Sequence, residues 1–335
     1  MIGKRNKAID ILKGIGILLV LTAHSLEGFV SQFAYTFHMP LFFIVTGLFI
    51  AEVPLHDRNI HSFIGWWKEM LKKDFRRLLY PALFTTFLIL LVSCLSFVWQ
   101  DVYFQNPIKL VWNSTPHMKY EYIIMLGNLW FLFALFFAKQ SFYLVRQLFN
   151  DRWLPWMCLL LGAMAVWSAQ YAILPIGIQV GISVLPFIWI GFYLKHHGGV
   201  DEGVPHWFYL SILVWGGYIF FGRLQVNRML YTWHYVPDII AACGGTLFFY
   251  HVSKVIANNT KYIKRCLSFL GMYSLLLICA PTIETYCFPM QQIIPQIPFR
   301  PIFVVVGKVA WCALFVFVCI RVSFLSAIFG IKKKA

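Results

Sequence analysis

Long apolar runs separated by short polar segments follow one another along this chain, and they constrain its fold more than any other feature. Of its 335 residues, 60% are hydrophobic and 12% are charged, about half the charged fraction of a soluble domain. Backbone groups in lipid must be hydrogen-bonded within the chain, so such runs predict transmembrane helices. We predict an all-α, polytopic integral membrane bundle of about ten helices. The predicted spans are 9–30, 37–52, 79–99, 128–148, 153–170, 176–194, 206–222, 236–256, 267–285 and 302–327.

The distribution of Lys and Arg predicts the orientation of this bundle. Cations collect in alternate loops and mark the cytoplasmic side, so both termini are expected there. The formal charge of +15 follows from this topology and from attraction to anionic membrane lipids. Cations spread over short loops do not favour nucleic acid as a partner. The expected organisation is one transmembrane domain, 1–335, without an appended soluble domain, in the inner (plasma) membrane. The side with few cations carries only Lys109, Lys119, Arg223, Arg228 and Arg300.

The first apolar run contains polar residues at a regular spacing. Lys13 and His24 are eleven positions apart, roughly three helical turns, so both would lie on one helix face. Asp10 and Glu27 each lie three residues from one of them and extend this polar stripe. An unpaired charge in lipid costs at least ~2.5 kcal/mol. Two interpretations stay open: a polar seam packed against other helices, or a buried reactive site.

Four sequence blocks stand in a definite order in the first part of the chain. They are 6–24, with its basic residue–ten residues–His spacing, then 37–47 (Phe-His-Met-Pro-Leu-Phe-Phe-Ile-Val-Thr-Gly), the basic segment 72–81, and 129–132 (Leu-Trp-Phe-Leu). In this order the blocks resemble the acyltransferase 3 family of membrane O-acyltransferases. The rest of the chain matches that family in hydropathy and helix number.

The resemblance implies an enzyme that transfers an acyl group, expected to be acetyl. The donor would be cytoplasmic acetyl-CoA, and the acceptor a hydroxyl of a cell-surface carbohydrate such as a polysaccharide or lipopolysaccharide unit. The expected partners are acyl-CoA, this carbohydrate and membrane lipids, with no permanently bound cofactor. A hydroxyl needs a base to become a good nucleophile, and histidine suits this near neutral pH. His24 is therefore expected to act as that base or to carry the acetyl group.

The other expected site residues follow from the same resemblance. Glu27 would orient His24, and Lys13 would hold the donor with Asp10 fixing its position. His38 is expected to contact the acceptor or act as a second acid–base group, and Trp130 to stack on a sugar. The phosphates of coenzyme A would be bound by Lys73, Arg76 and Arg77.

Two positions depart from the family pattern. The family's Arg-x-x-Arg corresponds either to Lys73-x-x-Arg76 or to Asp74-x-x-Arg77, in which an acid replaces a base. Late in the chain, Pro281 stands where relatives often carry a histidine. Glu284 and Tyr286 are then the nearby residues expected to contact the acceptor instead.

Two other classes of function stay open on the sequence. Buried charges on apolar runs also suit a proton-coupled transporter or exporter, and the Pro281 departure suits a family member without activity. No two of the eight cysteines have C-x-x-C spacing, and no cluster has the spacing of metal ligands, so we expect no metal. The charges that favour a carrier are Asp10, Lys13, Glu27, Lys139 and Lys308.

Overall fold

A computed structural model describes residues 6–23, 25–26, 28–54, 60–96, 127–172, 174–232 and 234–331. Within these ranges the regular elements are all helices, and the only strand-like pairing is an isolated bridge between Gln225 and Leu230. The predicted all-α class is therefore confirmed. The helices are α1 (Lys7–Ala23), α2 (Phe29–Tyr35), α3 (His38–Leu48), α4 (Ile60–Asp74), α5 (Tyr80–Ser96), α6 (Trp130–Leu148), α7 (Leu154–Ser168), α8 (Ile178–Ser183), α9 (Leu185–His196), α10 (Leu210–Phe221), α11 (Tyr235–Asn259), α12 (Tyr262–Met272), α13 (Ser274–Cys287), α14 (Arg300–Arg321) and α15 (Ser323–Ile328).

Each of the ten predicted apolar runs contains a helix, but not every helix is long enough to cross a bilayer. In the described part of the chain, five helices have the length and composition to do so, or six if the bent pair α12–α13, with its angle of 74°, counts as one span. Ten spans and the cytoplasmic termini therefore stay predictions. The five helical stretches are Phe29–Leu48, Ile60–Val92, Gly127–Leu148, Tyr235–Asn259 and Arg300–Arg321.

The prediction of one unbroken helix from 9 to 30 is wrong. Helix α1 ends at Ala23, and α2 begins at Phe29. Gly28 has φ +73°, a left-handed backbone that interrupts a right-handed helix. The Ser31 hydroxyl donates to the Ala23 carbonyl oxygen at 3.1 Å, which satisfies an otherwise unpaired acceptor at the end of α1. The average hydropathy of the run 9–30 did not indicate this break, because the many Ile, Leu and Val residues of α1 dominate it.

Pairs of glycines hold the central helices close together. Gly14 of α1 and Gly271 of α12 face each other, and a Cβ on either would overlap a backbone carbonyl of the partner helix. Gly47 of α3 and Gly191 of α9 form a second pair with the same property. Small residues let helix backbones approach in a membrane, where van der Waals packing drives helix association. These contacts hold α1 and α3, the helices that contribute Lys13 and His38.

Candidate active site

A pocket at one end of the bundle brings together two residues that the sequence singled out, His38 and Trp130. Its cavity volume is about 30 Å³. We call it the histidine pocket. Its wall draws on α1, α2, α3, the start of α6, the loop before α11, and α13. The other lining residues are Val20, Tyr35, Met39, Phe42, Asn128, Phe131, Leu224, Val226, Asn227 and Ile278.

His38 is oriented by a backbone carbonyl. It is the first residue of α3 and is only 1% exposed. Its Nδ1 lies 2.5 Å from the Ala34 carbonyl oxygen, and since a carbonyl only accepts, Nδ1 carries the proton of this hydrogen bond. In the neutral ring the lone pair is then on Nε2. The ring also meets Tyr35 edge to face at a centroid distance of 5.2 Å. The pocket thus has a basic nitrogen in a defined orientation.

The opposite wall is set by the start of α6. Gly127 has φ +53°, and its N–H donates to the Tyr286 hydroxyl at 3.2 Å. This contact holds the next residues, Asn128 and Trp130, at the pocket. Tyr286 belongs to α13, the helix that contains Pro281. Helix α13, which contains Pro281, therefore supports this wall of the pocket through the contact between Tyr286 and Gly127.

A loop that the sequence analysis did not single out forms the third wall. The Thr232 hydroxyl accepts from the Arg223 N–H at 3.0 Å and donates to the Arg223 carbonyl at 2.7 Å. Leu224 and Val226 are each 1% exposed, so they anchor the loop in the bundle. The next residue, Asn227, lines the pocket. The Arg residues here were visible in the sequence, but no local pattern connected them with His38.

Lys13 and Asp10 form the ion pair that the sequence predicted. The Lys13 Nζ lies 3.5 Å from Asp10 Oδ1, and the Asp10 side chain is buried. The pair is local, at the i, i+3 spacing that places two side chains on one helix face. Lys13 is seven residues from Val20, which lines the histidine pocket, so about 10 Å of helix separates them.

His24 and Glu27 lie outside the described residues, and their expected roles stay predictions. Val20, four positions before His24 in the sequence, lines the histidine pocket.

A second cavity, of about 730 Å³, lies where α4 passes into α5. We call it the basic pocket. Arg76, one of the three residues expected to bind phosphates, lines it together with Lys68 and Lys72. Lys73 and Arg77 are exposed and are not among its lining residues. The sequence already indicated this grouping through the spacing of residues 68, 72 and 76, which repeats at the i, i+4 interval of a helix face. This spacing was not used to select the phosphate-binding candidates. The remaining lining residues are Leu71, Phe75, Tyr80, Phe136 and Ala327.

Behind the basic pocket, a buried polar network joins α4 to α6. Asp74 is 2% exposed and forms an ion pair with Lys139. Its other oxygen accepts from Gln140 Nε2 at 3.0 Å, and Gln140 Oε1 accepts from Trp67 Nε1 at 3.0 Å. A π-helical segment, Phe75–Leu79, follows directly; such a segment changes the phase of a helix and is frequent at functional sites. Asp74, the acid that stands in place of a base in one alignment with the family's Arg-x-x-Arg pattern, is thus part of a structural network.

Glu284 does not line the histidine pocket. It is 1% exposed, and its Oε2 lies 3.6 Å from the Lys308 Nζ of α14. Its Oε1 accepts from the Met290 N–H at 2.7 Å. Both carboxylate oxygens thus serve contacts between α13, α14 and the turn after α13. Among the described residues, no three His, Cys, Asp or Glu side chains converge as metal ligands would.

Comparison with known proteins identifies the family. A family model described as an acyltransferase domain, acyltransferase 3, matches residues 6–328, which is nearly the whole chain. No curated protein and no solved structure gives a significant match. The match extends well beyond the four blocks at the start of the sequence and includes α13 and α14. The chain belongs to the acyltransferase 3 family and is a membrane acyltransferase.

Proposed function

We propose that this protein moves an acetyl group from acetyl-CoA to a hydroxyl of a carbohydrate acceptor, in the inner membrane. The observation that carries the proposal is the orientation of His38. Its Nδ1–H is held by the Ala34 carbonyl, so in the neutral ring the basic lone pair is on Nε2, and the residue lines the histidine pocket. A base in this position removes the proton of the attacking hydroxyl, which typically contributes about 10²–10⁴-fold to the rate.

The residues around His38 suit a sugar. Trp130 offers an aromatic surface on which the apolar face of a sugar ring packs. Asn128 and Asn227 each offer an amide that both donates and accepts hydrogen bonds, as sugar hydroxyls require. Apolar walls with a few placed polar groups are typical of small-molecule sites. We assign the acceptor to the histidine pocket on these grounds.

The basic pocket suits the donor. Lys68, Lys72 and Arg76 supply cations for phosphate groups, and Phe75, Tyr80 and Phe136 supply aromatic surface for a base and a pantetheine arm. Its volume of about 730 Å³ lies in the range of ligand sites, about 300–1,000 Å³. The concentration of cations in these loops supports a cytoplasmic position for this end, the side on which we propose that acetyl-CoA binds. Lys13, held by Asp10, is then the cation for the thioester oxygen.

The reaction that we propose has two steps. His24 attacks the thioester carbonyl, the C–S bond breaks, and the proton released from the acylated imidazole goes to the leaving thiolate. The acceptor hydroxyl then attacks the acyl-imidazole while His38 Nε2 takes its proton. The N–C bond to His24 breaks, and the His38 imidazolium returns this proton to the leaving His24 imidazolate, so both rings end neutral. Such covalent catalysis replaces one difficult step with two easier ones. Glu27 would orient His24 during both.

Two of the buried lysines that would suit a proton-coupled carrier are paired with carboxylates of neighbouring helices. Lys139 is paired with Asp74, and Lys308 with Glu284. Each pair joins two helices, as a structural contact does. These pairs favour the enzyme over a transporter, in which the same groups would exchange protons or ions.

Thiol release from acetyl-CoA by the purified protein tests this function. We expect a burst of about one thiol per protein without acceptor, and continuous release when a mixed polysaccharide extract is added. His24→Ala is expected to lose both phases, since no acyl-enzyme forms. His206→Ala, at an exposed position before α10, is the matched control and should keep both. A His24→Ala protein that inserts normally and retains full transfer would contradict the covalent role.

Arg76→Gln is expected to raise the KM for acetyl-CoA by about tenfold and to leave kcat nearly unchanged, because the side chain binds phosphate equally in the ground and transition states. Steady-state thiol release over a series of acetyl-CoA concentrations measures both constants. Arg265→Gln, an exposed arginine of α12, removes the same charge elsewhere and should change neither. Equal KM values for the two variants would remove Arg76 from the donor site.

A further inference from the structure

One cation lies beside the histidine pocket and has no part in the mechanism above. The Arg223 guanidinium carbon is 4.6 Å from the centroid of the Tyr35 ring. Tyr35 itself lines the pocket and contacts the His38 ring at 5.2 Å. The distance from the guanidinium carbon to the His38 ring centroid is therefore at most the sum of these two distances. An acceptor a few sugar rings long would reach both groups.

The backbone holds this arginine in place. The Thr232 hydroxyl bonds to both the N–H and the carbonyl of Arg223, and the backbones of Gln225 and Leu230 pair two residues further on. The intervening Leu224 is buried. A cation on a braced loop loses little conformational freedom when a ligand binds, and such preorganisation increases affinity.

The guanidinium also keeps its capacity for an anion. Within the described ranges of the chain, Arg223 forms no ion pair, and its side chain makes no hydrogen bond there. The cation–π contact with Tyr35 uses none of the guanidinium N–H donors, which match a carboxylate or phosphate in two parallel hydrogen bonds. Arg228, exposed on the same loop, adds a second positive charge.

We infer that Arg223 binds an anionic group of the acceptor, a phosphate or a carboxylate, next to the hydroxyl that His38 deprotonates. The inference rests on the proposed function, because it makes the histidine pocket the acceptor site. It narrows the acceptor class to a charged carbohydrate, such as a sugar phosphate or a uronic acid. Arg223 is exposed, so its guanidinium is accessible to an anionic group of a bound acceptor.

Ligand-observed NMR titration of the full protein in neutral phosphatidylcholine nanodiscs tests this with three sugars. They are methyl glucoside, which is neutral, methyl glucuronoside, which carries a carboxylate, and glucose 1-phosphate. We expect the wild type to bind at least one anionic sugar about tenfold more tightly than the neutral one. Arg223→Gln is expected to bind all three alike. The tighter anionic ligand identifies the group as a phosphate or a carboxylate.

Arg152→Gln is the matched control, because it removes one exposed arginine from the loop between α6 and α7, and it should keep the preference of the wild type. Equal melting temperatures establish that the variants are folded. Three results overturn the inference: no preference for an anion in the wild type, no measurable binding of either anionic sugar, or an unchanged preference in Arg223→Gln. Binding needs no catalysis, so an Arg223-dependent preference without thiol release would refute the proposed transfer alone.

Discussion

His38→Asn is expected to lower the acceptor-dependent kcat by about 10²–10⁴-fold, the usual contribution of a general base, and to leave the burst of thiol release intact. The asparagine amide N–H is able to donate to the Ala34 carbonyl in place of Nδ1, so the buried acceptor keeps a partner. What the variant lacks is the lone pair of Nε2. Rapid-mixing thiol release, with and without the polysaccharide extract, separates the two phases.

Two outcomes would contradict this role of His38. Unchanged steady-state turnover would make His38 a residue that only satisfies the Ala34 carbonyl at the end of α2. Loss of the burst together with turnover, in a variant with a wild-type melting temperature, would place His38 in the acylation step that we assign to His24. His206→Asn, at an exposed site, provides the control for a histidine-to-asparagine change outside the pocket.

Lys139→Met is expected to lower the free energy of unfolding by about 3–5 kcal/mol, the usual cost of removing one partner of a buried ion pair. The Lys139 side chain is 14% exposed and that of Asp74 is 2% exposed, so the remaining carboxylate would lie uncompensated in a medium of low polarity. Gln140 would still donate to it, but one neutral hydrogen bond does not replace the lost cation. Reversible unfolding in mixed detergent micelles measures the change.

An exposed pair provides the comparison for this prediction. Lys254 and Asp201 lie 2.7 Å apart with side-chain exposures of 41% and 47%, and Lys254→Met should cost only about 0–1 kcal/mol. The double variant Asp74→Leu/Lys139→Met is expected to recover most of the loss, since apolar replacements of a buried pair are often neutral. Equal costs for the two lysine variants, or no recovery in the double variant, would show that the Asp74 network is not a buried electrostatic contact.

Local patterns predicted the parts of the site that depend on one helix. The Asp10–Lys13 pair has a spacing of three residues, and helix geometry alone brings its members together. The i, i+4 spacing of Lys68, Lys72 and Arg76 likewise indicates that these cations share one helix face. Of these three residues, only Arg76 was selected from the sequence as a phosphate-binding candidate. His38 and Trp130 were each expected at an acceptor site from the family blocks, and the structure places both in one pocket.

Contacts between distant segments were beyond such patterns. Nothing in the sequence near Arg223 or Asn227 indicates that their loop closes a pocket against Tyr35. Glu284 was selected for its nearness to Pro281 in the sequence, but the charge that it meets comes from Lys308 on the next long helix. The pairing of two buried charges depends on which helices are neighbours, and hydropathy does not contain that information.

The sequence by itself determined the all-helical membrane class, the family and the concentration of cations in particular loops. These follow from composition, apolar run length and four motif blocks, which act locally along the chain. Only the tertiary structure decided that α1 stops at Ala23, that Asp74 pairs with Lys139, and that the histidine pocket is assembled from several segments far apart in the chain. The physical reason is that helix neighbours are selected by close backbone contact, as at Gly47 and Gly191, and by pairing of buried polar groups.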